Sequence, residues 1–398
     1  MSTPAPGRGP RCASAVSRQR NLDAAVGEVL EALEEGLDGA TPDLLVAFAT
    51  HHYGGDLPRL GGELREGTGA AGLIGCTGAW TIGSGEELET SPGVSVLAAS
   101  LPDTRIAQVR IRPPEDGGAE TLDFPLPDPA TSSVLVFADP FSFPTTAWLR
   151  AYAESDACAA PLVGGLASGG VAPGQNVLWM GSEPYTNSAV ALVLEGATRL
   201  EPVVSQGCRP IGPPLVVTGI EGTAVTRIGG EPAAKAFMSA LEGLAPEERS
   251  LFEAGALVGR AVDAARTEER AGELIVRPLL GLDPRTHAVH VADEGLRRGV
   301  TLRIMVRDAA SASSELDAVL KSARESEAER AFGGLLVTCN GRGRGMFERE
   351  NADAELFARH FGSGFPLAGF SASGEIGPVG RTPFLHGFTA SGALFTTR

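Results

Sequence analysis

The sequence predicts an α/β (α+β) protein of two related domains, with mixed, largely antiparallel sheets flanked by helices. Three observations support this fold class: apolar segments of strand length that recur at a common spacing, segments with a helical period, and short turns between neighbouring strands. Short turns favour antiparallel pairing. An αββα arrangement of layers is one architecture that these elements allow.

The chain begins with a segment that we predict to be a flexible tail, residues 1–20. It contains four arginines and no acidic residue, and it lacks the apolar core of a secretory signal, which leaves an organelle transit peptide as the alternative. The first helix is predicted over about Leu22–Leu37. The positions that share one face at the 3.6-residue period are Leu22, Ala25, Val26, Val29, Leu30 and Leu33.

Three later segments resemble one another and predict an internal repeat. Each starts with an apolar strand, at Leu44, Val134 or Leu335, and after 28 to 32 residues enters a second apolar strand. That second strand reads Leu73-Ile74-Gly75, Leu162-Val163-Gly164 or Leu367-Ala368-Gly369. A glycine turn comes next, Ser84-Gly85-Glu86, Ser168-Gly169-Gly170 or Ser373-Gly374-Glu375, and then a third strand, Val94–Leu101, Ala189–Glu195 or Phe388–Phe395. We therefore expect Glu86 and Glu375 to occupy equivalent turns and to line a cavity, with Gly170 purely structural.

A proline-rich stretch from Pro202 to Pro214 marks the predicted domain boundary. It is either a linker or an extended edge segment, so we place a first domain at residues 21–200, a linker at 201–219 and a second domain at 220–398. Further helices are predicted at about 231–244, 246–255, 309–330 and 349–361, and further strands at 273–280, 287–292 and 300–306.

Composition excludes several classes of protein. With 33 basic and 49 acidic residues the net charge is −16, which opposes general binding to nucleic acid. Lys235 and Lys321 are the only lysines, so the chain has no phosphate-binding loop of the G-x-x-x-x-G-K type. No apolar run is long enough to span a bilayer. The five cysteines are scattered, which predicts a reducing, cytoplasmic protein without disulfides, zinc ribbon or other metal site.

The glycine-rich segment from Thr338 to Phe347 predicts an anion site. It follows a strand and precedes a helix, which places backbone N–H groups where a carboxylate or phosphate is favoured. Arg342 and Arg344 add donors suited to such a group, and Asn340 lies beside them. The spacing G-x-G-x-G does not match the dinucleotide fingerprint, so we predict no nucleotide cofactor.

A second glycine-rich segment, 369–380, contains Ser373 and Glu375 and precedes His386. Cys76 and Cys339 each end a predicted core strand. A buried apolar role is the usual one for such a cysteine, although Arg342 would favour a nucleophilic thiolate at Cys339. His386 is more typical of a structural histidine than of a base.

The motifs together resemble the FIST family. The C-terminal runs Cys339-Asn340-Gly341-Arg342-Gly343, 374–380 and 384–390 resemble the FIST C-terminal domain. Residues 43–48 and 72–77 look like the FIST N-terminal domain, and residues 206–212 resemble the segment that joins the two. The resemblance implies a cytoplasmic sensory module for signal transduction that binds amino acids or their derivatives.

We therefore predict a stand-alone cytoplasmic small-ligand-binding protein that recognises an amino-acid-like or small carboxylate metabolite. The predicted ligand-binding residues are Asn340, Arg342, Arg344, Ser373, Glu375, Cys76 and Glu86. In this hypothesis the arginines hold the ligand carboxylate, and the glutamates hold its ammonium group. A protein signalling partner is expected, with no nucleic acid or membrane partner and no cofactor. Two alternatives stay open: a cysteine-dependent hydrolase or transferase using Cys339 with His386, and a protein-interaction scaffold.

Overall fold

A computed structural model describes residues 9–113, 124–125, 127–261, 274–293, 295–327 and 330–398. In these residues it has eight α-helices, and 25 strands form four sheets. The chain divides into two compact units. The first unit comprises residues 1–204, 316–385 and 389–398, and the second comprises 205–315 with 386–388. The mixed α+β fold class predicted from the sequence is confirmed.

Of the eight helices in the described residues, five lie close to a range that the sequence predicted, and three, at 60–68, 145–153 and 344–347, had no predicted range. They are Leu22–Gly36, Leu60–Thr68, Thr145–Ala153, Ala233–Glu242, Pro246–Ala254, Ala309–Glu327, Arg344–Phe347 and Ala352–Phe361, with 3₁₀ helices at His51–Arg59 and Asp156–Ala159. The first begins after Asn21, whose side chain accepts the N–H of Ala24 at 3.1 Å, a standard N-cap. The predicted end of the helix that starts at Ala309 falls partly on residues 328–329, outside the described residues.

Three six-stranded sheets belong to the repeats. In spatial order, the first sheet is Arg11–Ser17, Val94–Ser100, Leu44–Thr50, Gly72–Gly78, Leu178–Met180 and Glu183–Tyr185. In the same order, the second sheet is Thr382–His386, Glu375–Val379, Leu162–Leu166, Ser132–Ala138, Ala189–Gly196 and Thr104–Ile111. The third sheet is Thr198–Ser205, Ala390–Thr397, Ala331–Cys339, Leu367–Ala372, Thr81–Gly83 and Glu86–Leu88.

The three predicted repeats have the same pairing. We call them repeat 1 (44–100), repeat 2 (132–196) and repeat 3 (331–397). In each, the first strand is parallel to the second and antiparallel to the last. Gly75, Gly164 and Gly369 occupy the same register position, and a Cβ there would lie only 1.8–1.9 Å from the carbonyl oxygen of the neighbouring strand. The glycines that suggested the repeat are therefore required by close backbone approach.

Each repeat also contributes a hairpin to the sheet of another repeat. The hairpin of repeat 1 pairs with Leu367–Ala372 in the third sheet, that of repeat 2 with Gly72–Gly78 in the first, and that of repeat 3 with Leu162–Leu166 in the second. The exchange is cyclic. It joins residues that are hundreds of positions apart in the chain, so the three repeats cannot form their sheets independently.

The three sheets share one apolar core, and helices cover their outer faces. Phe48, Phe137 and Phe370, one from each repeat, meet there with ring centroids 4.8–5.6 Å apart. The outer face of the first sheet packs against Leu22–Gly36 and Leu60–Thr68, and that of the second against Thr145–Ala153. The third packs against Ala352–Phe361 and the Leu316–Leu320 turn of its neighbouring helix. The sequence did not decide the arrangement of layers. In this unit it consists of three sheets, each covered by helices on its outer face.

The second unit is built on one seven-stranded antiparallel sheet. Its spatial order is Cys208–Glu221, Thr301–Arg307, Leu257–Ala261, Leu274–Leu282, Val289–Val291, Ala224–Ile228 and Glu231–Pro232. Phe237 and Phe252 of two helices pack on it. The proline-rich stretch predicted as a linker or an edge segment runs from the end of Thr198–Ser205 into Cys208–Glu221. The latter strand pairs with Thr301–Arg307 and, beyond Val216, with Ala224–Ile228, and its pairing is irregular between Ile211 and Leu215, where Pro213 and Pro214 lie. Residue 273, the predicted start of one strand, lies outside the described residues.

Two predicted boundaries need correction. Residues 11–17, expected in the flexible tail, form an edge strand whose seven residues pair with Val94–Ser100. Residues 1–8 of the predicted tail lie outside the described residues. The strand was missed because its small residues, Cys-Ala-Ser-Ala-Val-Ser, carry little apolar periodicity. The last 80 residues, expected in the second domain, belong mostly to the first unit, because repeat 3 completes the shared core.

Candidate functional site

The first strands of the three repeats end at equivalent positions. Thr50, Asp139 and Cys339 each donate a backbone N–H to the residue before the last strand of the repeat, Gly93, Ser188 or Thr389, at 2.9–3.0 Å. Polar side chains follow these strand ends in all three repeats. Because the carboxyl ends of parallel strands are a common place for ligands, this end of the first unit is the candidate site.

A group of polar side chains from the three repeats lies at this end, and hydrogen bonds link several of them. We call it the carboxyl-end cluster: His51, Asp139, Ser168, Asn176, Cys339, Asn340, Ser371, Ser373 and Glu375. Ser168 Oγ accepts the N–H of Ala79 at 2.8 Å and donates to the carbonyl oxygen of Ser371. Ser371 Oγ in turn donates to Asn340 Oδ1. Asn340 and Ser373 are exposed and form the mouth of the cluster, with Asn340 Nδ2 at 3.5 Å from Ser373 Oγ.

His51 joins repeats 1 and 2 in this cluster. Its Nε2 lies 3.1 Å from the carbonyl oxygen of Ser168 and 3.3 Å from Asn176 Oδ1. Both are acceptors, so this nitrogen carries the proton. Asn176 donates to buried Asp139 at 3.1 Å. Gly169 has a φ of +90°, and a Cβ there would lie 2.4 Å from the His51 ring, which explains the glycine after Ser168.

Glu375 and Cys339 are the chemically distinctive pair of the cluster. Glu375 is completely buried; its Oε2 accepts the N–H of Thr389 at 3.0 Å, and its Oε1 has no hydrogen-bond partner. Burial raises the pKa of Glu375 to about 8, although the Thr389 bond, the Arg342 charge and a hydrogen bond with Cys339 act against the rise. Cys339 is partly exposed, and the N–H of Gly341 donates to its Sγ at 3.4 Å. The buried acid thus lies beside a partly exposed thiol.

Repeat 3 alone places an acid at this position. Thr81 in repeat 1 and Leu178 in repeat 2 hold the same register as Glu375, each being the first residue of its hairpin. Both are buried like Glu375. A fold with three similar repeats needs no buried carboxyl group at one of three equivalent positions, so Glu375 is a candidate site residue.

The structure corrects the predicted role of Arg342. Its guanidinium group is buried and bound through Nε and Nη2 to both carboxylate oxygens of Asp353, each at 2.7 Å. It also lies over the ring of Phe347, 5.2 Å from the centroid. Because the fork that was expected to hold a ligand carboxylate already holds Asp353, Arg342 joins its loop to the following helix.

The chain's own carboxylates also fill the predicted anion-binding N–H groups. Glu87 Oε1 accepts the N–H groups of Asp353 and Ala354 at the start of the helix, at 2.9 and 3.0 Å. Glu89 accepts the N–H of Arg344 at 2.9 Å. Burial and the charge of Asp353 raise the pKa of Glu87 to about 8. Side chains of repeat 1 therefore occupy N–H groups that the sequence analysis assigned to a ligand anion.

The remaining predicted residues do not converge on one pocket. Cys76 is buried in the shared core. Glu86 begins the second strand of its hairpin, whereas Glu375 begins the first strand of its hairpin, so the two positions are not equivalent. The side chain of Glu86 forms an ion pair with Arg18 and is about one-third exposed. Arg344 is half exposed and pairs with Glu350 at 3.0 Å. His386 is buried and belongs to the second unit.

Sequence reasoning missed the part of the cluster that repeats 1 and 2 supply. His51 was considered only as a metal ligand and set aside, and the described residues contain no group of His, Cys, Asp and Glu suited to a metal ion. The signal was present in the repeat itself, because His51, Asp139 and Cys339 all stand at the end of a first strand. A surface groove of about 340 Å³ lined by residues such as Leu30, Glu34 and Pro42 shares none of these residues.

Comparison with known proteins finds two family models that match successive parts of the chain. The family model of the FIST N domain matches residues 43–231, and that of the FIST C domain matches residues 233–378. The chain belongs to the FIST family. FIST domains are associated with small-ligand-binding signal transduction. The FIST N match contains repeats 1 and 2, and the FIST C match contains Cys339 and Glu375.

Two mycobacterial proteins are similar to this FIST protein over nearly their whole length. The uncharacterized protein Rv0628c of Mycobacterium tuberculosis strain H37Rv is 36% identical over 381 residues, 96% of this chain and 98% of its own. The uncharacterized protein Mb0898c of Mycobacterium bovis is 35% identical over 385 residues, 96% of this chain and 97% of its own. No helix among the described residues of the FIST protein has both the length and the apolar character needed to cross a membrane.

Proposed function

We propose that this FIST protein is a cytoplasmic sensory protein that binds a small amino-acid-like metabolite at the carboxyl-end cluster. The observation that carries the proposal is the buried carboxyl group of Glu375, whose Oε1 has no hydrogen-bond partner and which lies beside partly exposed Cys339. A buried polar atom without a partner is costly, and a ligand N–H would satisfy it.

The mouth of the cluster offers the other contacts that such a ligand needs. Asn340 and Ser373 are exposed there and share only a long 3.5 Å hydrogen bond, so both can turn toward a ligand. Arg344, half exposed on the loop that follows, pairs only through an exposed ion pair with Glu350 among its side-chain contacts. Exposed ion pairs contribute little, so this arginine can exchange its partner for a ligand carboxylate.

The signal would leave the protein by association with a partner protein. The amino acids and small carboxylates of the family context suit a cytoplasmic location, as do five free cysteines. Ligand binding at a cluster made from three repeats would stabilise the contacts between those repeats, and a partner protein can recognise that change.

The test is a thermal-shift screen against amino acids and small carboxylates with wild type, Glu375→Gln and Glu86→Gln. A ligand at about 100 times its Kd adds ~2.7 kcal/mol to the free energy of unfolding. We expect stabilisation of wild type and Glu86→Gln, and little of Glu375→Gln. Equal stabilisation of all three variants would contradict the proposal.

The pH dependence of binding identifies the ligand group that meets Glu375. An ammonium group favours the ionised carboxylate, and since the pKa of free Glu375 is about 8, binding at lower pH must release a proton. Affinity for an amino ligand should therefore rise with pH up to about 8. Calorimetry in buffers of different ionisation enthalpy would measure the proton release, and proton uptake would contradict an amino group at this position.

A further inference from the structure

Cys339 differs from the other cysteines in its surroundings. Cys12, Cys76 and Cys208 are buried, and burial raises the pKa of the Cys12 and Cys76 thiols well above its usual range. Cys158 is partly exposed on the 3₁₀ helix Asp156–Ala159 and serves as a natural comparison. Cys339 is also partly exposed, but it is hydrogen-bonded to a buried carboxyl group.

The surroundings of the Cys339 sulfur suit a thiolate. The N–H of Gly341 points at Sγ from 3.4 Å, and the charge of Arg342 acts on the adjoining Glu375. A thiolate is the nucleophilic form of cysteine, and a backbone N–H that donates to the sulfur favours it. Glu375 Oε1 is buried and has no hydrogen-bond partner, so the carboxyl group has an oxygen available to take a proton.

We propose that Cys339 is a nucleophile whose proton is taken by Glu375, and that the cluster transfers an acyl group from a small ester or thioester to the Cys339 sulfur. This inference rests on the proposed function, because it uses the same site and assigns an amino-acid-like acyl compound as the substrate class.

The reaction balances within the site. A bond forms between Sγ and the carbonyl carbon, and the bond from that carbon to the leaving oxygen or sulfur breaks. The thiol proton passes to Glu375 and then to the leaving group, which departs as an alcohol or thiol. Water subsequently attacks the thioester, giving a carboxylic acid and restoring the thiol.

Glu375 can act as a base near neutral pH. Burial raises the pKa of Glu375 to about 8, and a base works best when its pKa lies near the working pH. The charged groups that act on Glu375 and its neighbours are Arg342, Asp353 and Glu87. The rate of acylation should therefore rise with pH and level off near pH 8.

The probe for this activity is p-nitrophenyl acetate, with release of p-nitrophenolate followed by absorbance and the acetyl group located by peptide mass spectrometry. We expect rapid acetylation of Cys339 in wild type and in Cys158→Ala, and none at this peptide in Cys339→Ala. Glu375→Gln should slow it by about 10²-fold and remove the pH dependence near 8. Acetylation of Cys158 as fast as that of Cys339, or an unchanged rate in Glu375→Gln, would overturn the inference.

Two further measurements keep the test decisive. If the melting temperature of Glu375→Gln lies far below that of wild type, two measurements on wild type replace the variant. They are the pH dependence of the acylation rate and the ratio of Cys339 to Cys158 acetylation. A rate without pH dependence between 6 and 9 would then count against Glu375 as the base, since its pKa of about 8 requires one. Ligand-induced stabilisation that survives without acetylation would overturn this inference alone and leave the proposed function standing.

Discussion

Two buried acids near the same glycine loop have different surroundings. Asp353 is bound by Arg342 through two short hydrogen bonds, and both side chains are fully buried. Glu375 is equally buried but keeps one oxygen without a partner and touches a partly exposed thiol. The first pair is closed and holds the loop to its helix, whereas the second is open to a ligand. Burial of a charged group alone therefore does not identify a site; an unsatisfied atom beside an accessible group does.

The largest expected effect comes from breaking the closed pair. Asp353→Ala leaves the Arg342 guanidinium buried without its partner, and such a loss costs about 3–5 kcal/mol. The exposed Arg344→Ala in the same loop should change stability by less than ~0.5 kcal/mol. Urea unfolding measures both free energies. A cost below ~1 kcal/mol for Asp353→Ala would show that the pair is not structural.

A smaller loss of stability is expected where two strands of the same repeat approach each other closely. Gly369→Ala puts a Cβ 1.9 Å from the carbonyl oxygen of Leu336, so the parallel strands of repeat 3 must separate, at about 1–3 kcal/mol. Gly345→Ala, which meets no atom within 4 Å, is the matched control. The same urea experiment compares them, and equal stability of the two variants would contradict the close approach.

Stability should also fall as the pH rises across the range in which Glu87 and Glu375 ionise. The pKa of each is raised from 4.5 to about 8 in the folded chain, mainly by burial, so the folded state holds protons that the unfolded state has released. Their contribution is complete below about pH 4.5 and is lost as the pH approaches 8. Melting temperatures of wild type and Glu375→Gln across this range measure it, and the variant should vary less with pH. Identical slopes would show that Glu375 does not titrate there.

The smallest effect is expected at Glu86, which the sequence analysis placed in a turn equivalent to that of Glu375. Glu86 forms a partly exposed ion pair with Arg18, so Glu86→Gln should cost less than ~0.5 kcal/mol and leave ligand-induced melting shifts unchanged. A large loss of the ligand-induced melting shift in this variant would show that Glu86 belongs to the ligand site, so that Glu86 and Glu375 would no longer differ in role.

The repeats were predictable because their evidence is local. Apolar strands and the glycines at 75, 164 and 369 can be read within short windows, and their pairing followed. The exchange of hairpins could not be read in this way, because Thr81 pairs with Phe370 and nothing in either segment identifies its partner.

The site was predictable only in part, for the same reason. The sequence analysis selected Glu375 and Asn340 as ligand-binding residues from their glycine-rich surroundings, and that role stays a prediction. The surroundings of Arg342 were missed because nothing in the motif shows that Asp353, 11 residues later, binds its guanidinium group. Nor does the motif show that Glu87 and Glu89, from more than 250 residues earlier in the chain, fill the neighbouring N–H groups. A local motif indicates that an anion is favoured, but not whether the chain itself supplies it.

Protection of Cys339 from alkylation is the sharpest test of the carboxyl-end cluster as a ligand site, since it needs no variant. A metabolite that stabilises the protein in the thermal-shift screen is added before iodoacetamide, and labelling of Cys339 and Cys158 is followed by peptide mass spectrometry. We expect the metabolite to slow labelling of Cys339 and to leave Cys158 unchanged. A metabolite that stabilises the protein while Cys339 reacts at its original rate would place the ligand elsewhere and contradict a site at this cluster.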